Sequence, residues 1–400
     1  MSKTMDTWFF MRPGFTTFNL EPKTHSQYLF GQRDRRQRDL LLGTLEEAGY
    51  SRDGHKAAIF GDYGRGKTHQ CFNIMFEIRK RGMNIAPVYI KCSAYKSKEP
   101  FHSLFTEMVS SHSAETLNRI ATEYQRRVNA KQAPDLQEVV QSEDIALVMR
   151  TGLPMVNLTQ VKNCMRWLGG EPKIDMSSIS DSIKPQLADS REFGAVMRGL
   201  AAMFATVDGS VPLYLIDEAE RFQNMTNPDT YFTWLASIRE LTEIHNVGML
   251  FLIGAKSRND LPNIFVTDEI VRRIGVSNYI EFTNPSHDEL EAFILELLQT
   301  FIKKGEVPAP HQGVVDPKAL DPSIPEELTQ ITGGDASRLR VFPFEPDAFE
   351  EFVEQVTRGE LASKPSEVLL RLQKAAQRAM RHDLRTISSK IVNEISSEGF

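Results

Sequence analysis

Cysteine is scarce in this sequence. The three residues, Cys71, Cys92 and Cys164, are widely spaced and match neither a CxxC pair nor a zinc-binding pattern. This spacing excludes a disulfide framework and a structural zinc site built from cysteines. Proteins that fold in a reducing compartment typically have such a composition, so the sequence predicts a cytoplasmic protein.

Long apolar runs and an excess of positive charge are also absent. No stretch approaches the roughly eighteen apolar residues that span a bilayer, and the opening segment MSKTMDTWFFMRPGF is too interrupted for a signal peptide. We therefore expect no membrane contact. The formal net charge is −6, so any contact with nucleic acid would have to come from a local basic patch.

What the sequence does contain is a glycine-rich turn between an apolar stretch and a helical pattern. Residues 57–60 (AAIF) predict a short strand, GDYGRGKT follows, and a helix is expected to start near Lys67. The turn matches the phosphate-binding pattern GxxxxGK followed by Ser or Thr. Gly61, Gly64 and Gly66 allow backbone conformations with positive φ and, because they have no side chain, let backbone N–H groups close around phosphate oxygens.

This phosphate-binding loop predicts a site for ATP. Lys67 would reach the β- and γ-phosphates, the Thr68 hydroxyl would hold Mg²⁺, and the helix that begins there would add its N-terminal dipole. A glycine-rich turn with an incidental lysine is the alternative. The residues predicted to contact the nucleotide are Gly61, Asp62, Tyr63, Gly64, Arg65, Gly66, Lys67, Thr68 and His69.

Two carboxylates follow a second apolar stretch. Residues 213–216 (LYLI) predict a buried strand that ends at Asp217 and Glu218. Asp217 would hold Mg²⁺, and Glu218 would polarise the attacking water as a general base. A solvated strand end is the alternative, but the combination with the phosphate-binding loop favours a nucleotide site.

Polar and basic residues also lie next to two further predicted strands. Residues 248–253 (GMLFLI) predict a buried strand, after which Ser257 or Lys256 could sense the γ-phosphate. Arg272 and Arg273 then precede another short strand. Either arginine could reach the ATP of a neighbouring subunit as an arginine finger, although paired arginines at a helix end are also common as simple caps.

This set of motifs, GDYGRGKT, LYLIDE, the strand at 248–253, RRIGVSNYIEF and a helical end, resembles an AAA+ ATPase. The resemblance implies an α/β P-loop NTPase fold with a parallel β-sheet core, a helical insertion and a C-terminal helical lid. It also implies ATP and Mg²⁺ as ligands and a homo-oligomer. LFGQRD is similar to the segment that packs near adenine in the origin-recognition and STAND-type branch. MRWLGGE, at 165–171, is similar to ATPases of BREX-type phage defence.

The same resemblance implies an arginine in the lid that contacts the γ-phosphate, the second sensor. Arg338 and Arg340, in TGGDASRLR, compete for this role with Arg371. Of these, Arg338 is preferred. The lid also carries a basic stripe, which would meet nucleic acid phosphates or simply face water. The stripe consists of Arg371, Lys374, Arg378 and Arg381.

The predicted organisation has four parts. Residues 1–28 form an arm whose aromatic residues are docked anchors or partner contacts, and residues 29–99 with 210–303 form the AAA+ core. Residues 100–209 form the helical insertion and residues 304–400 the lid. Within the core, Ser286 followed by Glu289 predicts the start of an amphipathic helix.

Three functions compete at this point. The first is an ATPase that oligomerises and acts on DNA in phage defence or a mobile-element system. The second is a nucleotide-gated switch with slow hydrolysis that regulates an effector protein, since the chain has no nuclease, protease or methyltransferase motif of its own. The third, a small-substrate kinase, is disfavoured because a kinase needs no water-activating glutamate at Glu218.

Overall fold

The computed structural model describes residues 4–92, 100–224, 228–283, 285–303, 324–358 and 364–397. The chain forms two units, and each is described by itself below. Unit 1 consists of Met1–Gln37, Gly64–His69 and Thr283–Phe400, and unit 2 of Arg38–Tyr63 and Gln70–Phe282. The predicted division into arm, core, insertion and lid stays a prediction.

A parallel β-sheet lies at the centre of unit 2. Its strands are β1 (Lys56–Gly61), β2 (Ile85–Lys91), β3 (Val211–Asp217), β4 (Gly248–Gly254) and β5 (Tyr279–Phe282). They lie in the order β2-β3-β4-β1-β5, and each neighbouring pair is parallel. The strand predictions are therefore confirmed. Because parallel strands share a direction, the carboxyl ends of all five meet at one edge of the sheet.

Both faces of the sheet are buried, which explains why its strands read as continuous apolar runs. Ala57 and Ile59 of β1 pack on one face with residues of the helices that flank β1. Ala58 and Phe60 point to the other face, into a larger cluster that includes the helices after β2. The alternation of side chains along each strand thus divides unit 2 into two hydrophobic layers.

Helices make up most of the remaining described structure. In chain order they are α1 (Met5–Trp8), α2 (Gln32–Ser51), α3 (Lys67–Arg81), α4 (Pro100–Ser110), α5 (Ala114–Asn129), α6 (Leu136–Val140), α7 (Glu143–Leu147), α8 (Leu158–Leu168), α9 (Ser190–Val207), α10 (Pro228–Glu243), α11 (Asn263–Val266), α12 (Asp268–Ile274), α13 (His287–Phe301), α14 (Glu326–Thr332), α15 (Ala336–Val341), α16 (Pro346–Thr357), α17 (Pro365–Arg381) and α18 (Ser389–Ser397). A π-helical turn, Val148–Gly152, follows α7, and short 3₁₀ turns are Ala219–Asn224, Arg258–Asp260 and Val276–Asn278.

The aromatic residues near the start of the chain are packed inside unit 1. Phe9 and Phe18 are fully buried, and the Phe18 ring lies 5.6 Å from that of Phe301 in α13. The Arg385 guanidinium lies 4.1 Å from the centre of the Trp8 ring. These aromatic side chains therefore act as docked anchors, and α1 forms one helical turn in this segment.

Helix α13 begins where the sequence predicts. The Ser286 side chain accepts a hydrogen bond from the backbone N–H of Glu289, and the Glu289 carboxylate accepts one from the backbone N–H of Ser286. This capping box satisfies two backbone donors that the first turn leaves without helical partners. None of the helices in the described part of the chain is long and apolar enough to cross a bilayer.

Among the described residues, helices α4 to α9 lie between β2 and β3, and the MRWLGGE segment ends α8 within them. Trp167 is fully buried, and its indole N–H donates to the Lys184 carbonyl at 2.9 Å. Gly170 has φ +79°, and a Cβ there would lie 2.5 Å from the His102 ring. The Gly170 carbonyl also accepts a hydrogen bond from Gln186 at 2.8 Å. In this structure the segment ends α8 and packs against the neighbouring helices.

A buried histidine in the turn between α4 and α5 contacts the central sheet. Nε2 of His112 lies 2.9 Å from the hydroxyl of Tyr214 in β3, and its ring also packs against Phe204. Burial lowers the pKa of His112 to about 4. The imidazole is therefore neutral in the folded protein, where a protonated ring would lose its hydration without gaining an opposite charge.

We predict that His112 makes unit 2 less stable in acid. The pKa of an ordinary histidine is 6.5, so below that pH the unfolded chain binds a proton that the folded protein does not bind until about pH 4. Stability therefore falls as the pH drops through this window, by up to about 3 kcal/mol. Urea unfolding from about pH 7 to about pH 4.5 should show a shallower pH dependence for His112→Gln than for the wild type.

The control is His245→Gln, because the His245 side chain is 88% exposed. Its pH dependence should match that of the wild type. Identical pH dependence in His112→Gln and the wild type would contradict the prediction.

Candidate functional site

The phosphate-binding loop follows β1, and α3 begins at Lys67 as predicted. Gly64 has φ +79° and Gly66 has φ +84°, so two of the three glycines take the left-handed conformation that glycine permits. Gly61 does not have a positive φ. It ends β1, where a Cβ would lie 2.8 Å from the backbone oxygen of Phe282 in β5. Glycine is required there by the close approach of two strands.

The first turn of α17 lies against this loop within unit 1. The Ser366 backbone N–H donates to the Gly64 carbonyl at 3.2 Å. A Cβ on Gly64 would lie 2.2 Å from the Ser366 hydroxyl oxygen. Because Gly64 has no side chain, it leaves room for the first turn of α17 beside the loop.

Arg65 and His69 of the loop are engaged by backbone carbonyls in unit 1. Arg65 is 3% exposed, and its guanidinium donates to the Thr283 carbonyl. Nε2 of His69 lies 2.6 Å from the Tyr28 carbonyl. Burial lowers the pKa of His69, so the neutral ring can donate to that carbonyl. Both side chains hold the loop in place in this structure.

Arg65 also faces a cavity of about 490 Å³ in unit 1. Asp34 lines it, and burial raises the pKa of that carboxyl while the guanidinium groups of Arg65 and Arg33 act against the shift. Phe293 and Pro365 provide apolar walls. A cavity of this size and mixed polarity is suited to a small organic ligand.

Asp217 and Glu218 follow β3 at the carboxyl edge of the sheet in unit 2. Asp217 is 4% exposed. Its Oδ2 accepts a hydrogen bond from the Tyr89 hydroxyl at 3.0 Å, and its Oδ1 accepts one from the backbone N–H of Glu218 at 2.9 Å. Both oxygens of the predicted metal ligand are therefore held by donors from its own unit.

Glu218, the predicted general base, is held between two cations. Lys91 Nζ lies 3.0 Å from its Oε1, and Arg221 forms an ion pair with its Oε2. Glu218 has φ +58°, a conformation that costs a non-glycine residue roughly 1–2 kcal/mol. Backbone strain of this kind is commonly found at functional sites.

Glu220 links the ends of two other strands. Its carboxylate accepts a hydrogen bond from the backbone N–H of Gly254, at the end of β4, at 2.6 Å. It also accepts one from the Tyr63 hydroxyl, and burial together with the Glu220 charge raises the pKa of Tyr63. Beyond Gly254, the Ser257 hydroxyl donates to Asp260 at 2.9 Å. Lys256 is exposed and makes no hydrogen bond or ion pair with any described residue.

The two candidate finger arginines in α12 differ in their surroundings. Arg273 pairs with Glu243 of α10 and, at 3.3 Å, with Glu269. The same contact lowers the pKa of Glu243. Arg272 is exposed, and no described residue forms a hydrogen bond or an ion pair with it.

The candidates for the second sensor lie in three different settings in unit 1. Arg338 is exposed in the first turns of α15, where its backbone N–H donates to the Asp335 side chain at 3.3 Å. Arg340 is half-buried on the same helix. Arg371 lies on α17, the helix that begins beside Gly64, and pairs with Glu367 at 3.5 Å.

Oxygen donors are the ligands that Mg²⁺ prefers, usually one or two protein groups completed by phosphates and water. Thr68 and Asp217 offer a hydroxyl and a buried carboxylate, so the donor chemistry suits this metal. Within the described ranges, no three His, Cys, Asp or Glu side chains come together as a site for a more demanding ion.

The fold and the site together define the class of protein. A parallel sheet in the order β2-β3-β4-β1-β5, with the phosphate-binding loop after β1 and paired carboxylates after β3, is a P-loop NTPase fold of the AAA+ type. The predicted fold class is confirmed.

Neither protein-family models nor curated protein sequences match the chain. Among solved structures, it is similar to Cdc6p from Pyrobaculum aerophilum, with 13% identity, a TM-score of 0.49, and 98% of this chain and 70% of that chain covered. It is also similar to the ORC2 protein from Aeropyrum pernix, with 13% identity, a TM-score of 0.48 and coverage of 99% and 72%. It is similar as well to the RuvB Holliday junction branch migration motor from Thermotoga maritima, with 12% identity, a TM-score of 0.37, and 92% of this chain and 70% of that chain covered. The fold class rests on strand order and loop position rather than on these similarities.

The sequence alone did not identify the residues that contact the predicted site residues and fix their positions. The Tyr89 hydroxyl contacts Asp217, and Glu218 is paired with Lys91 and Arg221. Glu220 contacts Tyr63. One signal was available in the sequence, because Tyr89 and Lys91 lie two residues apart at the carboxyl end of the apolar segment that forms β2 and therefore point to the same face. In a parallel sheet that end of β2 lies at the same edge as Asp217.

We predict that Gly64→Ala destabilises unit 1 more than Gly66→Ala. Both positions have a left-handed φ, which costs alanine about 1–2 kcal/mol. Only at Gly64 would the new methyl group also overlap Ser366, whereas nothing lies within 4 Å of a Cβ at Gly66. The extra loss should be about 1–3 kcal/mol, measured by urea unfolding without nucleotide.

The double variant Gly64→Ala with Ser366→Gly is the control, because it removes the overlapping hydroxymethyl group. It should recover part of the extra loss. Equal losses in the two single variants would show that Ser366 does not constrain the loop.

Proposed function

We propose that this protein is an AAA+ ATPase that binds and hydrolyses ATP with Mg²⁺. The observation that carries the proposal is the pairing of two features on one sheet. A phosphate-binding loop leaves the carboxyl end of β1, and Asp217 and Glu218 leave the carboxyl end of β3, with only β4 between the two strands. Ligands of open parallel sheets bind at this edge.

In this proposal Lys67 and the backbone of the loop bind the β- and γ-phosphates, and Thr68 with Asp217 holds Mg²⁺. Bound Mg²⁺ would neutralise charge on the phosphates. The cavity lined by Asp34, Arg65 and Phe293 would receive the base and ribose, since it lies at the same loop. Arg65 and His69 would position the loop through their carbonyl contacts.

Glu218 would act as the general base. A water oxygen attacks the γ-phosphorus, Glu218 accepts the proton from that water, and the bond to the β-phosphate oxygen breaks to release ADP. Glu218 can accept the proton only once its carboxylate has a lone pair directed at the water. At least one of the contacts with Lys91 and Arg221 would therefore be exchanged during turnover.

For the second sensor, the surroundings favour Arg371 over Arg338 and Arg340. The helix that carries Arg371 begins with a hydrogen bond from Ser366 to Gly64 of the phosphate-binding loop, whereas Arg338 is exposed on α15. An arginine on a helix that starts at the loop can stabilise negative charge on the γ-phosphate.

Oligomerisation follows from the proposal that Arg272 acts as an arginine finger. Arg273 is occupied by Glu243 and Glu269, and this arrangement fixes α12 against α10. Arg272, on the same helix, is exposed and available to the ATP of a second subunit.

The pairing of Glu218 also favours a second candidate function, a nucleotide-gated switch. The ion pairs with Lys91 and Arg221 hold the Glu218 carboxylate in one orientation, so its side chain would have to move before it could act on a water. In a switch, ATP binding would hold one conformation, and slow hydrolysis would reset it. The partner would then be an effector protein.

DNA as the target, and phage defence or a mobile-element system as the setting, stay predictions from the sequence resemblance. The basic stripe on α17 is partly neutralised, because Arg371 pairs with Glu367 at 3.5 Å and Arg378 with Glu394 at 3.4 Å. Double-stranded DNA added to the purified protein with ATP and Mg²⁺ tests the target through the mass of the complex.

We predict that Glu218→Gln lowers the rate of ATP hydrolysis about 100-fold or more, because it removes the proton acceptor. ATP affinity should be unchanged, since the phosphate-binding loop is intact. Turnover measured by phosphate release and affinity measured by equilibrium binding check both parts. Glu138→Gln, at an exposed position on α6, is the matched control and should behave as the wild type.

Lys91→Met separates the two candidate functions. If the ion pair restrains a switch, removing this cation raises a slow wild-type turnover. If the protein is an ordinary ATPase, the variant does not raise turnover. ATP binding absent from the wild type would contradict both functions.

We predict that Arg272→Ala lowers turnover by about 1,000-fold while ATP binding is retained, because a finger stabilises charge only in the transition state. The decisive measurement is a mixture of Arg272→Ala and Glu218→Gln proteins. In mixed oligomers, a site with an intact Glu218 receives an intact Arg272 from its neighbour. The mixture should therefore hydrolyse ATP although neither variant does so alone.

Arg273→Ala provides the comparison. Its loss should lower stability through the broken contacts with Glu243 and Glu269, with a smaller effect on turnover. No activity in the Arg272→Ala mixture, together with recovery in a mixture made with Arg273→Ala, would assign the finger to Arg273 instead.

A further inference from the structure

A tyrosine at the carboxyl end of β2 contacts the predicted metal ligand. The Tyr89 hydroxyl donates to Oδ2 of Asp217 at 3.0 Å. The other carboxylate oxygen, Oδ1, accepts the backbone N–H of Glu218 at 2.9 Å. Two donors on different oxygens oppose rotation of the carboxylate about its terminal bond, so Asp217 is held in one orientation.

The position of the tyrosine ring is itself fixed by packing. Its centre lies 4.5 Å from that of Phe72 in α3, and the pairing of β2 with β3 sets Tyr89 beside Leu215, two residues before Asp217. The ring is half-buried. The hydroxyl can therefore hold the carboxylate without ordering a flexible side chain first.

We propose that Tyr89 is a positioning residue for the magnesium site, and this inference rests on the proposed ATPase function. Mg²⁺ requires near-ideal octahedral geometry and keeps much of its water. A ligand whose oxygens are already oriented loses less freedom when the metal binds. Groups that hold a metal ligand in this way typically change metal affinity by about 10- to 100-fold.

Tyr214 supplies a matched comparison. It lies on β3, the strand that carries Asp217, and its hydroxyl is also engaged in a hydrogen bond, with His112 at 2.9 Å. Tyr214 is fully buried in the other hydrophobic layer. Phenylalanine at either position removes one hydroxyl group, but only the change at Tyr89 removes a hydrogen bond to the Asp217 carboxylate.

The experiment measures the affinity of wild type, Tyr89→Phe and Tyr214→Phe for a fluorescent ATP analogue, in EDTA and over a series of Mg²⁺ concentrations. In EDTA, Tyr89→Phe should match the wild type. The Mg²⁺ concentration that gives half of the metal-dependent gain in affinity should rise about 10-fold or more in Tyr89→Phe. It should stay unchanged in Tyr214→Phe. Direct binding of Mn²⁺ in the presence of nucleotide, followed by electron paramagnetic resonance, should weaken to the same extent.

Phe72→Leu provides a second variant that keeps the hydroxyl and loosens the ring beneath it. It should shift the Mg²⁺ requirement in the same direction by a smaller factor. A Tyr89→Phe protein with the wild-type Mg²⁺ dependence would overturn the inference. So would a loss of affinity that is equal with and without Mg²⁺, because that would assign Tyr89 to nucleotide binding or folding. If Mg²⁺ does not increase the affinity of the wild type, the proposed function itself fails.

Discussion

The parallel register of β2 and β3 is the constraint on which the candidate site depends. It pairs Lys91 with Asp217 and Tyr89 with Leu215, which sets the Tyr89 hydroxyl at the Asp217 carboxylate and the Lys91 ammonium at Glu218. A shift of one residue would turn both β2 side chains to the opposite face of the sheet. The alternating apolar residues of β2 and β3 oppose such a shift, because each belongs to one of two separate hydrophobic layers. The packing of the sheet therefore also fixes the chemistry at its edge.

The parts of the fold that the sequence predicts are those whose signals are local. The start of α3 at Lys67 and the capping box of α13 each depend on residues within a few positions of one another. A contact such as Tyr89 with Asp217 joins residues 128 positions apart, and its existence depends on which strands become neighbours. A motif also defines the backbone of a loop better than the side chains at its variable positions. The Arg65 side chain, for example, donates to the Thr283 carbonyl, a contact that the motif does not predict.

The glycines of the phosphate-binding loop show that one residue type can be required for different reasons. Gly64 and Gly66 are in the left-handed region, where the absence of a side chain removes a steric cost. Gly61 is in the sheet, and the cost that it avoids is overlap with β5. A sequence pattern that matches all three positions cannot distinguish these causes, because backbone conformation and strand pairing both favour the same residue. The distinction needs the position of Phe282, which is far away in the sequence.

Glu218 combines features that oppose each other. Its carboxylate is held by ion pairs with Lys91 and Arg221, and these contacts favour the observed conformation. Its left-handed φ raises the energy of the same conformation. The Lys91 side chain is 58% exposed, so water screens its ion pair and limits its strength. The conformation is thus held by contacts of modest strength against a backbone cost of similar size. A group that competes for Lys91 or Arg221, such as an anionic ligand, would need only a small differential affinity to release the carboxylate.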